Sequence, residues 1–272
     1  MGLVTSLCCR PSDEPPLPTQ PFRAIRDEFE TYSALQDALR RSGLESSNLI
    51  IAIDYTKSNE WSGVRSFNGK CLHHIDPTGF EANPYQSVIQ IIGRTLEVFD
   101  DDRLIPVYGF GDIKTRGDMC FPLLPQRPID EGIKDVLERY NEVTPTVRLS
   151  GPTNFAPVIR ETIRIVRQTR RYHILVIIAD GQVTNEQETA DAIVEASNYA
   201  ISIIMVGVGD GPWDMMNEYD DQLPRRRFDN FQFVDYASVL QLNKRNPDLG
   251  FATAALMEIP EQYKTIRRLK LI

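Results

Sequence analysis

The 272 residues carry a net charge of −8 and a pI near 5.1. With 42% apolar and 25% charged residues, the composition is that of a globular chain able to bury one large core. The acidic balance excludes a nucleic-acid binder, which needs a concentrated basic surface. The two tight basic runs, Arg225-Arg226-Arg227 and Arg267-Arg268, are short and lie close to acids, so they read as solvated faces.

Residues 1–28 read as a disordered tail, crowded by Pro11, Pro15, Pro16, Pro18 and Pro21 and without apolar period. Residues 29–272 read as one domain. Asn48–Asp54 is a continuous apolar run, the pattern of a strand buried on both faces. Residues 66–74, around Asn68-Gly69, suggest an edge hairpin arm. Residues 84–99 space Val88, Ile91, Ile92, Leu96 and Phe99 as a helix does. Residues 104–109 read as a strand that Pro106 places near an edge. A helix is predicted over 129–140, and another opens at Pro157 with Ile159, Ile163 and Val166 in one stripe. Residues 172–179 and 201–208 are the clearest core strands, with a helix over 186–197 between them, and 231–235 is a last short strand. This alternation predicts an α/β fold, a doubly wound and mostly parallel sheet flanked by helices. In such sheets ligands bind beyond the carboxyl ends of the strands.

The first core strand ends in Asp54-Tyr55-Thr56-Lys57-Ser58, an acid and two hydroxyls at alternate positions. A chain curling over the strand end can converge those oxygens on one point. The run 172–179 ends in Asp180-Gly181 and brings a second carboxylate to the same edge. Thr153, in the loop before the intervening helix, can add a hydroxyl. These are hard oxygen donors, suited to one divalent cation, with Mg²⁺ the first expectation and Mn²⁺ or Ca²⁺ the alternatives. Each fragment alone is an ordinary turn or cap; order and placement make the set informative.

The order Asp-x-Thr-x-Ser, Thr, Asp-Gly resembles the metal-ion-dependent adhesion site of von Willebrand factor A domains. The finer resemblance is to the copine type. It is carried by Ser58-Asn59-Glu60-Trp61, Ser66-Phe67-Asn68, Leu72-His73-His74, the 108–112 stretch Tyr-Gly-Phe-Gly-Asp and Gly151-Pro152-Thr153. It continues through 177–184, 206–213 and 255–260. The chain is similar in particular to the copine-like domain of plant RING domain ubiquitin ligases, from about residue 30 to 268. The resemblance implies Thr56, Ser58 and Thr153 as hydroxyl ligands. Asp54 and Asp180 would bind through water or anchor the hydroxyls.

The cysteines and histidines here, Cys8, Cys9, Cys71, Cys120, His73, His74 and His173, do not form the clustered zinc-ligand array of a RING. Nor can some thirty leading residues hold a C2 domain. Neither activity is expected of these residues, and no enzyme constellation is expected either. Met1-Gly2-Leu3-Val4-Thr5-Ser6 fits the pattern for myristoylation of Gly2, and Cys8-Cys9 follow where palmitoylation often occurs. Two acyl chains would give stable attachment, so a cytoplasmic protein held on the inner face of the plasma membrane or another membrane is expected. Trp61 and Trp213 follow core strands on the metal side and are candidate partner contacts, though a tryptophan packed beneath a loop is as ordinary. Asp210, Asp214, Glu218, Asp220 and Asp221 read first as a solvated helix face. His73-His74 read as exposed or hydrogen-bonded rather than as metal ligands, and Cys71 and Cys120 as small buried hydrophobes.

Three functions compete. The first is an adaptor whose cation grips an acidic group on a partner protein. The second is a component of a ubiquitin ligase system acting through a separate RING protein. The third is a metal-dependent phosphatase-like hydrolase. An Asp-nucleophile hydrolase places a second carboxylate two residues after the first, and here that position is Thr56.

Overall fold

The computed structural model describes residues 29–100, 103–123, 132–181, 183–223 and 225–272. The tail of residues 1–28, with Gly2, Cys8 and Cys9, lies outside them.

In chain order the elements are α1 (Tyr32–Arg41), β1 (Asn48–Asp54), α2 (Pro84–Leu96), β2 (Val107–Phe110), β3 (Cys120–Pro122), α3 (Ile133–Val143) and α4 (Ala156–Thr169). Then follow β4 (His173–Ala179), α5 (Glu186–Ala196), β5 (Ile201–Gly207), α6 (Asp214–Asp221) and β6 (Phe231–Asp235). Helices α7 (Tyr236–Leu242), α8 (Pro247–Leu256) and α9 (Ile259–Arg268) close the chain. The strands form one sheet in the order β3-β2-β1-β4-β5-β6. All pair in parallel except β3, which runs antiparallel to β2.

Every residue of β1, β4 and β5 is buried. That is the signature of strands covered on both faces, and it explains why their sequences are unbroken apolar runs. The helices that cover them are amphipathic. α2 begins with a capping box, Asn83 accepting from the backbone of Gln86 at 2.9 Å while Gln86 accepts from Asn83 N–H at 2.7 Å. Pro84 at its first position needs no hydrogen-bond partner.

Two expectations change. Residues 66–74 are not a hairpin arm. They fold as turns, because the chain is drawn inward by Leu72 and His73, both buried. The edge hairpin is β2–β3 instead, and Pro106 lies just outside the ladder at its start. The helix expected over 129–140 runs Ile133–Val143, and Ile129 lies outside the described residues.

Strand order reverses between β1 and β4, the two neighbours of the sheet centre. The connection after β1 leads to one side of the sheet and the connection after β4 to the other. That switch leaves a crevice beyond their carboxyl ends. Asp54 is the last residue of β1, and Asp180 immediately follows β4, whose Ile178 pairs with Ile53.

Candidate metal centre

At the switch point the carboxylates and hydroxyls form one connected chain. The Oδ1 atom of Asp54 accepts the Thr56 backbone N–H at 2.8 Å, curling the strand end so that Thr56 turns back over it. Thr56 Oγ1 and Ser58 Oγ lie 3.0 Å apart, and Ser58 Oγ donates to Asp180 Oδ1 at 3.0 Å. A single 3-10 turn, residues 57–60, brings Ser58 round. Asp54 and Asp180 are both wholly buried, and the Oδ2 atom of each has no hydrogen-bond partner among the described residues.

Burial raises the Asp54 carboxyl well above the usual carboxylate range, and the adjacent Asp180 carboxylate raises it further. Asp180 is also raised by burial, against the pull of the Ser62 and Ser58 hydroxyls. Two facing carboxyls out of water, each with a bare oxygen, are an electrostatic arrangement that a cation relieves.

The loop that carries Thr153 is tied to the site by its backbone. Ser150 bridges to Thr56, with Lys57 N–H donating to Ser150 carbonyl at 2.6 Å and Ser150 N–H to Tyr55 carbonyl at 3.2 Å. On the other side the Thr153 carbonyl accepts Thr184 N–H at 2.8 Å. The loop is thus laced to the segments after both β1 and β4. Asn154 fixes its far end, donating to Gly117 carbonyl at 2.7 Å and Glu188 Oε2 at 2.9 Å, and accepting Ala156 N–H at 3.0 Å. The structure therefore joins Asp54, Thr56, Ser58 and Asp180 directly and ties Thr153's loop to both halves. All their side-chain donors are oxygens. Among the described residues no group of three or more His, Cys, Asp or Glu side chains gathers as a metal cluster. The donor set fits a hard cation that keeps water in its shell, and does not fit a zinc site built on Cys and His.

Beneath the carboxylates lies a support that the motif does not announce. His73 is buried between the rings of Tyr55 and Tyr85, with centroids 4.8 and 4.1 Å away. Its Nε2 is 2.7 Å from the Asp54 carbonyl, so that nitrogen carries the proton. Nδ1 then accepts from the Tyr140 hydroxyl at 2.8 Å. Burial lowers the imidazole to about 4, keeping the ring neutral. Tyr85 Oη donates to Asn59 Oδ1 at 2.7 Å, and Asn59 Nδ2 donates to Thr56 carbonyl at 3.0 Å. The Leu-His-His stretch contained this residue, and its hydrogen-bonded reading holds for His73.

Two glycines press on the site. A Cβ on Gly111, where φ is +78°, would fall 2.4 Å from Thr56 Cγ2, and one on Gly209 would fall 2.3 Å from the Asp180 carbonyl oxygen. Only glycine lets those turns pass so close. Of the tryptophans, Trp61 is 57% exposed, and its backbone N–H donates to the Ser58 carbonyl at 2.9 Å, at the rim of the site. Trp213 instead packs over Gly207 and against Phe233, 5.3 Å between centroids, which is a packing role. The acidic stretch divides. Asp214, Glu218 and Asp221 are exposed, as expected of a solvated face. Asp210 accepts the Arg65 and Ser66 N–H groups, each at 2.8 Å, and half-buried Asp220 accepts the Phe233 N–H at 3.3 Å, so these two correct that reading. Cys71 and Cys120 are half-buried thiols rather than core residues: the first lies in a surface turn and the second on edge strand β3.

With this geometry in hand, comparison with known proteins is decisive for family. The family model described as Copine matches residues 71–272. The chain belongs to the copine family. It is 53% identical over 247 residues to Copine family protein 2 of Caenorhabditis elegans, covering 90% of this chain and 3% of that one. It is 50% identical over 266 residues to the E3 ubiquitin-protein ligase RGLG1 of Arabidopsis thaliana, covering 92% of this chain and 54% of that protein. A match that long has to run through β1 and its loop, so the copine likeness extends over Asp54, Thr56 and Ser58. This copine domain spans about half the length of the RGLG ligase it matches. Among solved structures, the D319A mutant of the PilB minor pilin from Streptococcus sanguinis superposes with a TM-score of 0.51. The identity is 10%, over 81% of this chain and 62% of that one, a likeness of fold alone.

Proposed function

We propose that this copine domain is a metal-dependent protein-binding module, an adaptor that grips an acidic group of a partner protein at a divalent cation. The observation that carries the reading is the pair of buried carboxylates at the β1/β4 switch point, each with an unpartnered Oδ2, linked through Thr56 and Ser58. Thr56, Ser58 and Thr153 would hold the ion through hydroxyls, and Asp54 and Asp180 would balance its charge directly or through water. Mg²⁺ suits the donor set best, with Mn²⁺ or Ca²⁺ able to substitute. Bound there, the cation supplies a Lewis-acidic position for an acidic oxygen from outside. The exposed Trp61 supplies an apolar contact at the rim.

Acylation of Gly2, with Cys8 and Cys9, would hold the adaptor on the cytoplasmic face of a membrane. The likeness to RGLG1, named an E3 ubiquitin-protein ligase, supports a second reading in which this domain selects proteins for a separate RING partner. A hydrolase is disfavoured by Thr56, which stands where a leaving-group acid would be.

The test is capture of partners from cytosol on the immobilised full chain, with EDTA, with Mg²⁺ restored, and with Thr56→Ala or Thr153→Ala. Capture should require the ion and both hydroxyls. Partners held equally in EDTA and by Thr153→Ala would overturn the metal grip. Loss of membrane association on Gly2→Ala tests the anchor, and retention there would refute it.

A further inference from the structure

At the opposite end of the sheet, beyond the amino ends of β4 and β5, lies a cleft of about 590 Å³. It is lined by the end of α4, the turn before β5 and the chain after α9. Arg164, Arg167, Arg170 and Lys270 face it, together with Asn198 and Tyr199, and no acidic side chain lines it. Arg164 is engaged by Glu161 through hydrogen bonds of 2.8 and 2.6 Å. Arg167, Arg170 and Lys270 are exposed and make no ion pair among the described residues.

Helix ends account for some of this charge, since a basic residue in the last turn favours the macrodipole. They do not account for all of it. α9 already carries Arg267 and Arg268 in its last turn, and α4 carries Arg167. Arg170 lies one residue beyond α4 and Lys270 two beyond α9, each with φ of 56°. At such a position glycine is the ordinary choice, because a side chain there strains the backbone. Arg103, Arg116 and Arg225 also stand at positive φ, but of these arginines and lysines only Arg170 and Lys270 line the cleft, where they join Arg167. The surrounding chain has a net charge of −8, so the domain as a whole repels anions and this cluster stands apart from it.

We propose that this cleft is a binding site for a polyvalent phosphate, the chemistry shared by a soluble inositol phosphate and a phosphoinositide lipid headgroup. Two guanidinium groups and an ammonium give charge-assisted hydrogen bonds to more than one phosphate, and guanidinium matches phosphate in bidentate geometry. The volume suits a ligand larger than a single phosphate ion. The site is independent of the metal centre, since the two lie at opposite ends of strands seven residues long.

The test uses the 272-residue chain carrying Gly2→Ala/Cys8→Ser/Cys9→Ser, so that no lipid on the tail contributes. It is titrated calorimetrically with inositol 1,4,5-trisphosphate. It is also co-sedimented with phosphatidylcholine vesicles, plain or doped with phosphatidylinositol 4,5-bisphosphate. Binding to the trisphosphate or to doped vesicles, but not to plain ones, is expected. Arg167→Ala/Arg170→Gly/Lys270→Gly should weaken it on the order of tenfold or more, with the thermal midpoint held by the relaxed glycine positions. Arg225→Gln/Arg227→Gln, on a basic run elsewhere, should change it by less than about twofold. Binding of doped vesicles alone supports the site with lipid as source, and binding of the trisphosphate alone supports it with a soluble ligand. Binding of neither probe, an unaffected cleft variant, or equal loss in the control would overturn it.

Discussion

Asp180→Asn separates the cation's part from the fold's. In the wild type, Asp54 and Asp180 are buried beside each other, and each leaves an oxygen with no hydrogen-bond partner among the described residues. Like charges roughly 4 Å apart would repel by about 4 kcal/mol at an effective dielectric of about 20, an upper limit here because the raised Asp54 carboxyl takes up a proton. Against that relief, Ser58 Oγ loses a charged acceptor, which costs about 1–3 kcal/mol. The chelated variant should therefore melt at or a few degrees above the chelated wild type. Adding Mg²⁺ at about a hundred times its dissociation constant stabilises a binding protein by about 2.7 kcal/mol. For a chain of this size that is a rise of roughly 5–11 °C in the wild type. The variant should show almost none of it. Differential scanning fluorimetry in EDTA and across a Mg²⁺ titration reads both quantities. A wild type whose midpoint ignores Mg²⁺, Mn²⁺ and Ca²⁺ alike, or an Asp180→Asn protein that keeps the full response, would refute the reasoning.

Gly209→Ala should displace the Asp180 backbone, because its Cβ would sit 2.3 Å from that carbonyl oxygen. Mg²⁺ affinity measured by calorimetry should fall at least about tenfold, and unchanged affinity would show that Asp180 is not held by that contact. Trp213→Ala should cost about 3–5 kcal/mol in urea unfolding, while Trp61→Ala stays within about 0.5 kcal/mol but weakens partner capture. The reverse ranking would exchange their roles. Burial pushes Asp220 up to about 7, with Asp229 and Asp221 adding to it against the Phe233 N–H and Arg226, and it pushes Glu258 up to about 8, with Asp220 and Asp229 adding to it against Gln262 and Arg226. The folded state then binds more protons than the unfolded state between about pH 4 and pH 8, so this contribution to stability is lost as pH rises through that window. Raising pH from 5.5 to 8.5 should lower the midpoint by roughly 10–20 °C, and Glu258→Gln should flatten the slope. An identical slope in that variant would remove Glu258 from the account.

Much of the sheet was legible because burial on both faces leaves a simple trace. Strands β1, β4 and β5 are apolar apart from Asn48, His173 and Ser202, and each ends where an acid or glycine appears. The meeting of Asp54 and Asp180 was legible for a related reason. Asp54 and Asp180 terminate two such runs, and in a parallel sheet run ends share an edge. Edge and turn structure was less so. β3 is three residues long and only partly buried, too short to show alternation, whereas Asn68-Gly69 has the local chemistry of a hairpin without the paired strands.

What the sequence determined by itself is the set of chemical types and their order along the chain: acid, hydroxyl, hydroxyl, hydroxyl, acid, each beside a strand end or in a loop. What only the tertiary structure decided is which groups meet. That His73 supports the Asp54 carbonyl, that Trp213 packs while Trp61 stands exposed, and that Arg167, Arg170 and Lys270 share one cleft depends on contacts between segments far apart in the chain. Local pattern records which side of an element is buried. It does not record which distant side chain fills the space opposite, because that is set by the packing of all the layers at once.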